Sequence, residues 1–309
     1  MNKSSKIFLA GHNGLVGSSI LRELLKQGFK RVITVNRDDL DLLDQKKVSN
    51  FFRLKKPTYV IIAAARVGGI KANNEKKGEF IYENLTIQNH IIHCSYLYKV
   101  KSLVFLGSSC VYPKNCRQPI KEDFLLSGFL EATNEPYAVA KIAGIKMCQS
   151  YNFQYKTNFK CLMPCNTFGP NDNYNLETSH FFPAIIKKGH EAIKNKKKYI
   201  NLWGSGTPLR EVIYVDELAK ACIFFLKKKT KHSLINIGSN YELSIKKYAQ
   251  IINKTLNFGL KIKLNKNKLD GTFRKKLDIS LAIKYGWKAK FNLQNAIKDT
   301  YKAFLKENQ

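Results

Sequence analysis

Residues 6–17 constrain the fold more than any other segment. A short apolar run, Lys6-Ile7-Phe8-Leu9-Ala10, passes directly into Gly11-His12-Asn13-Gly14-Leu15-Val16-Gly17. Residues 16–26 then place Ile20, Leu21, Leu24 and Leu25 at helical spacing. A strand that runs through closely spaced glycines into a helix can bring its backbone against a phosphate. Gly11 permits the tight turn, Gly14 the close approach of backbone to ligand, and Gly17 the packing of helix on sheet. The helix N-terminus then offers free N–H groups and a partial positive charge to a pyrophosphate.

The pattern repeats without the glycines. Apolar runs at residues 32–35, 59–64, 103–106 and 159–163 read as strands, with helices between them at residues 80–98 and 137–151. Short all-apolar strands alternating with helices predict a parallel sheet covered on both faces. The expected fold is therefore α/β, a doubly wound parallel sheet with ligands beyond the carboxyl ends of its strands. After Pro164 the alternation loosens. Elements near residues 203, 216–225, 234–237 and 241–252 suggest a smaller lobe that also returns two strands to the main sheet. The expected division is residues 1–165 for a cofactor, completed by strands around 212–240, and residues 166–309 mainly for substrate.

Composition narrows the function. The 309 residues are 44 % hydrophobic, a globular proportion. The apolar run behind the basic N-terminus is too short for a signal peptide, and no stretch reaches the roughly 20 apolar residues that span a bilayer. Seven cysteines, with no C-x-x-C pair and no zinc spacing, read as reduced, mostly buried residues with no metal and no disulfide. A soluble, cytoplasmic protein with no membrane partner is expected. The net charge of +30 invites a nucleic-acid reading. The lysines are scattered and no nucleic-acid motif accompanies them, so they read as a solvated surface, or as an attraction for polyanionic small molecules such as dinucleotides.

The second strand should choose the cofactor. An NAD site places a carboxylate at its end, about 20 residues past the glycines. Here the residues are Val35-Asn36-Arg37. Arg37 suits a 2′-phosphate, so NADP(H) is favoured over NAD. Asp41 and Asp44 follow, placed either near the adenine or at the start of the next helix. Beyond the fourth strand comes Leu106-Gly107-Ser108-Ser109-Cys110-Val111-Tyr112-Pro113, and later Tyr137-Ala138-Val139-Ala140-Lys141. The i, i+4 spacing puts Tyr137 and Lys141 on one helix face. A nearby ammonium favours the phenolate, so Lys141 is expected to lower the Tyr137 pKa. Tyr137 can then give a proton to a carbonyl oxygen as hydride reaches its carbon, with Ser108 bonding the same oxygen.

These features resemble the extended short-chain dehydrogenase/reductase family. Longer strings sharpen the likeness: residues 63–70 (Ala-Ala-Ala-Arg-Val-Gly-Gly-Ile), 106–113, 134–144, 203–208 and 270–275 resemble the GDP-L-fucose synthase branch, from about residue 6 to the C-terminus. The resemblance implies 3,5-epimerisation and NADPH-dependent 4-reduction of GDP-4-keto-6-deoxy-D-mannose. It implies that Cys110 and His180 form the epimerase acid/base pair. It also places Gly11, His12, Asn13, Gly14, Leu15, Val16, Gly17, Arg37, Leu106, Gly107, Ser108, Ser109, Lys141, Pro164, Cys165, Asn166, Thr167 and His180 around NADP. Lys188, Trp203, Arg210 and Asp270 fall around the nucleotide sugar, with Lys275 close by. A homodimer through the helices at residues 80–98 and 137–151 is implied as well. Asn13, Lys188, Phe273 and Cys165 depart from residues usual in the family; none removes a catalytic group. The alternatives are another NAD(P)-dependent nucleotide-sugar epimerase or dehydratase, and a non-catalytic NADP-sensing protein. A dehydratase would carry an Asp/Glu pair where Ser109 and Cys110 stand, and a sensor would not need both Tyr137 and Lys141.

Overall fold

The computed structural model describes residues 1–265 and 272–307. β1 (Ile7–Ala10) leads into α1 (Leu15–Lys26), followed by β2 (Val32–Ile33), α2 (Gln45–Lys55), β3 (Tyr59–Ile62), α3 (Ile70–Glu75), α4 (Lys77–Leu97), β4 (Ser102–Leu106), α5 (Glu135–Tyr155) and β5 (Phe159–Pro164). The second strand is two residues long, shorter than its apolar run suggested. β6 (Asn166–Phe168), α6 (Phe181–Lys194), β7 (Tyr199–Trp203), β8 (Leu209–Tyr214), α7 (Val215–Lys227), β9 (Leu234–Ile237), β10 (Glu242–Ser244), α8 (Ile245–Thr255), β11 (Lys261–Asn265), β12 (Arg274–Lys275), α9 (Ser280–Lys284) and α10 (Leu293–Glu307) complete the described chain.

The main sheet has the order β2-β1-β3-β4-β5-β9, and every pairing in it is parallel. β1, β4 and β9 are buried along their whole length, as expected for strands covered on both faces. α1 packs on α7, and α4 packs on α2 and α5. The strand order reverses between β1 and β3, so the doubly wound, Rossmann-like sheet opens a crevice at their carboxyl ends.

The second half differs from the sequence-based expectation. Among the described residues, only β9 of the late strands joins the main sheet. β8 pairs instead with β6, β10 and β12, and β11 pairs with β7. An apolar strand pattern does not specify its partner. A second core gathers here, in which Phe168 and Phe182 stack at 3.9 Å and Tyr248, Ile252 and Phe304 are buried.

Glu211 of β8 ties the two sheets together. It is fully buried. One carboxylate oxygen accepts the N–H groups of Ser239 at 2.9 Å and Asn240 at 2.8 Å, just past β9. The other accepts from Leu277, just past β12, at 3.0 Å. Burial pushes its pKa up, while the three amides and Lys276 pull it down. We expect Glu211→Gln to set an amide NH2 against one of these N–H groups and to cost about 2 kcal/mol in denaturant unfolding, with the fold retained.

Candidate active site

The glycine turn has the geometry that its spacing predicts. Gly11 has φ +86°, and a Cβ there would lie 2.5 Å from the Ala64 nitrogen beyond β3. A Cβ on Gly17 would lie 1.9 Å from the Gly11 carbonyl oxygen, so α1 packs on the turn only without a side chain at that position. Gly14 is different. Its nearest neighbour to a built Cβ is 3.8 Å away, so the protein itself does not require glycine there. What the missing Cβ leaves open is space at the α1 N-terminus, where Gly14 is the N-cap and no side chain caps the helix. This fits a pyrophosphate approached by backbone. His12 and Asn13 complete the turn, and Leu15 and Val16 begin α1. The Asn13 amide donates to Asn36 Oδ1 at 3.1 Å, joining the turn to the loop that follows β2.

A cleft of about 440 Å³ opens here, lined by Gly14, Asn36, Arg37, Asp41, Ala65 and Val67, among others. Arg37 is exposed on its wall, where a 2′-phosphate can meet it. The two later aspartates are now distinguished. Asp41 lines the cleft while accepting from the Leu43 N–H at 3.0 Å. Asp44 caps α2 through the Lys47 N–H at 2.9 Å. Across the sheet, Gly107 follows β4, where a Cβ would strike the Met163 sulfur at 2.4 Å. Pro164 ends β5, Cys165 is buried, and Asn166 and Thr167 open β6. Asn166 is held by the Glu211 carbonyl at 3.0 Å, and the Thr167 hydroxyl by the Cys165 carbonyl at 3.2 Å.

The catalytic candidates converge beyond β4. Ser108 caps a single 3-10 turn, Ser109–Val111, and its hydroxyl accepts the Cys110 N–H at 3.4 Å. Pro136 lies in the first turn of α5 and presets the helix start beside Tyr137. Lys141, one turn on, is 3 % exposed. Its Nζ donates to the Leu106 carbonyl at 2.9 Å and stands 5.7 Å from the centre of the Tyr137 ring. Cys110 is buried as well.

The electrostatics correct one expectation. Burial raises the Tyr137 pKa, with the Cys110 side chain adding to the rise, so the phenol is protonated at neutral pH. Lys141 does not overcome this. Burial lowers the Lys141 pKa to about 8, with Cys110 and Cys161 opposing the shift. Burial also raises Cys110, while Lys275, the Ser108 hydroxyl and Lys141 draw it down. His180, the N-cap of α6, keeps an exposed face. Protein crowding its other sides, and then Lys275, hold its imidazole below the ordinary value. Lys275 thus acts on both Cys110 and His180. Burial lowers its own pKa, with Cys110 opposing and Arg210 adding to the shift.

On the substrate side, Lys188 donates to the Asn201 carbonyl at 3.2 Å and lies 4.7 Å over the half-exposed Trp203 ring. Arg210 is aimed by carbonyls of Leu209 at 2.8 Å and Thr272 at 2.6 Å, and it pairs in register with Lys275. Asp270 lies outside the described residues. Among the described residues, no group of three or more His, Cys, Asp or Glu can hold a metal ion. All seven cysteines are free, and among the described residues no helix is long and apolar enough to cross a membrane.

Known proteins resemble the chain over nearly its whole length. The family model described as "NAD dependent epimerase/dehydratase family" matches residues 7–238. The chain is 47 % identical to GDP-L-fucose synthase 1 of Arabidopsis thaliana over 305 residues, covering 99 % of this chain and 94 % of that protein. It is 42 % identical to GDP-L-fucose synthase of Escherichia coli strain K12, covering 98 % of this chain and 97 % of that protein. A GDP-L-fucose synthetase from Naegleria fowleri, solved bound to NADP, superposes with a TM-score of 0.93 at 29 % identity, covering 100 % and 95 % of the two chains.

The open space at Gly14 generates a test. Gly14→Ala is expected to fold with unchanged stability and to weaken NADPH binding at least about tenfold, read by quenching or transfer of cofactor fluorescence. Unchanged affinity would contradict the placement of the pyrophosphate.

Proposed function

The chain belongs to the NAD dependent epimerase/dehydratase family, and within it we propose that it converts GDP-4-keto-6-deoxy-D-mannose to GDP-L-fucose, inverting C3 and C5 and then reducing C4 with NADPH. What supports this reading is two sets of groups close enough to act on one another's charge, Cys110 on Tyr137 and Lys275 on Cys110 and His180. Tyr137, Lys141 and Ser108 suit ketone reduction. Cys110 and His180, both under the charge of Lys275, suit proton exchange on the carbons beside that ketone. Near-full-length identity to GDP-L-fucose synthases supports the same substrate.

The 4-keto group acidifies the C3 and C5 hydrogens. One member of the Cys110/His180 pair removes a proton, and the other returns one to the opposite face. The enolate oxygen between these events is met by the Ser108 hydroxyl and the Tyr137 phenol. Bound NADPH supplies hydride for the final step. Tyr137 gives its proton to the C4 oxygen; burial holds the phenol protonated, the form that can donate. Lys141 holds the nicotinamide ribose and keeps positive charge beside the phenol. Gly11 to Gly17 and Arg37 hold the pyrophosphate and 2′-phosphate. Leu106 to Ser109, Pro164 to Thr167 and His180 would lie around the NADP. Lys188, Trp203, Arg210 and Asp270 take the GDP-sugar.

Residues 1–165 with β9 serve the cofactor, and residues 166–309 mainly the substrate. The protein works in the cytoplasm as a homodimer, through α4 and α5. Leu97, Val139, Phe153 and Tyr155 leave apolar surface exposed on those two helices, with Phe153 83 % exposed.

The pure protein should oxidise NADPH with GDP-4-keto-6-deoxy-D-mannose and yield GDP-L-fucose by NMR. Cys110→Ser should cut epimerisation by about a hundredfold or more. No NADPH oxidation beside an active control enzyme would sink the substrate assignment. The pH profile carries its own sign. The Lys141 pKa is lowered, so its charge is present below about 8 and is lost above it. We expect kcat/KM for reduction to be level below that pH and to fall above it, and Lys141→Arg to move the fall to higher pH.

A further inference from the structure

The turn at residues 66–69, part of the Ala-Ala-Ala-Arg-Val-Gly-Gly-Ile string, borders the cofactor cleft through Arg66 and Val67, and its backbone is clamped beyond what that lining needs. Buried Asn84 accepts the Arg66 N–H at 3.0 Å and donates to the carbonyls of Arg66 at 3.0 Å and Phe80 at 2.7 Å. Buried Asn73 donates to the carbonyls of Gly68 at 2.6 Å and Gly69 at 3.0 Å. The Arg66 guanidinium pairs with Glu83 at 2.7 Å and also with Glu79.

Gly69 has φ −68° and ψ −179°, an extended conformation open to any residue. Conformation therefore does not demand glycine there. Contact does. A Cβ would lie 2.6 Å from the Thr178 carbonyl oxygen and 3.1 Å from its Cα. Thr178 stands two residues before His180. The segment between them is a compact turn: the Thr178 and Ser179 N–H groups donate to the Asn175 carbonyl at 3.1 and 2.8 Å, and Asn173 donates to the Thr178 hydroxyl at 2.9 Å. Displacing Thr178 therefore carries His180 with it. The other flank of the clamped turn faces the reductase side, where a Cβ on Gly68 would lie 3.1 Å from Phe80 Cζ. The Phe80 ring meets that of Tyr137 edge-on at 6.5 Å.

We propose that Gly69 is a positioning residue for the epimerase half of the reaction: its close approach to the Thr178 backbone sets where His180 stands relative to Cys110 and the substrate. The proposal rests on the epimerase–reductase reading and goes beyond it, because it assigns a role to a residue outside the sets given to substrate and cofactor. It also predicts that the two half-reactions can be separated from outside the site. In Gly69→Ala the contact must open by about 1 Å to reach ordinary separation. A shift of that size in a catalytic group costs about a hundredfold in rate.

The test reads both halves in each protein: deuterium wash-in from D2O at C3 and C5 of the substrate, and NADPH oxidation with its product. NADPH affinity and thermal unfolding are followed alongside. In Gly69→Ala we expect wash-in to fall about a hundredfold, with NADPH affinity unchanged and hydride transfer continuing on the unepimerised ketone. Wash-in at the wild-type rate overturns the proposal, as does an equal fall of both activities in a folded variant. If Gly69→Ala does not fold, Asn73→Ala decides, since it releases the same turn without adding bulk. A selective fall in wash-in supports the proposal. Unchanged wash-in, equal loss of both activities or failure to fold assigns the turn a purely structural role and overturns it. If the wild type neither exchanges deuterium nor oxidises NADPH, the failure lies in the reaction assignment itself.

Discussion

A single buried carboxylate holds the two halves of this molecule in register. Glu211 takes three backbone N–H groups from two separate segments, one leaving β9 and one leaving β12. Its fit is tight enough to exclude a side chain nearby: a Cβ on Gly238 would lie 2.4 Å from its oxygen. Burying a carboxylate is expensive unless its lone pairs are met, and here three amides meet them. β9 is the last strand of the cofactor sheet. β8 and β12 carry Arg210 and Lys275. The charge that tunes Cys110 and His180 is therefore placed by a residue that has no part in the chemistry.

The site is organised by burial more than by ion pairing. Tyr137, Cys110 and Lys141 are each pushed toward their neutral forms, and Lys275 is drawn the same way. Tyr137 and Cys110 are thereby held protonated, while Lys141, at about 8, keeps its charge at neutral pH. Arg37, at the other end of the crevice, remains exposed for a phosphate. The +30 formal charge thus includes lysines that burial specialises, as well as many that solvate the surface.

Much of this was legible in the sequence. The glycine turn gave the crevice, because Gly11 and Gly17 each meet a steric demand within the protein, while Gly14 leaves room for a ligand. The i, i+4 spacing gave Tyr137 and Lys141 on one helix. Cys110 and His180 carry no local signal and came only through family resemblance. The partners of β8 were not legible, since an apolar strand does not name its neighbour. Glu211 reads as an ordinary charge in a strand, because its three donors come from loops 28 to 66 residues away. The direction of the Tyr137 shift was also hidden. Sequence shows the lysine that should lower it, while the burial that raises it exists only after folding.

The central claim is that one site exchanges protons at C3 and C5 and then delivers cofactor hydride to C4. The most direct measurement is the isotope content of GDP-L-fucose formed in D2O with unlabelled NADPH, read position by position by NMR. The account predicts deuterium at C3 and C5 and protium at C4. Protium retained at C3 and C5, or deuterium at C4, would contradict it.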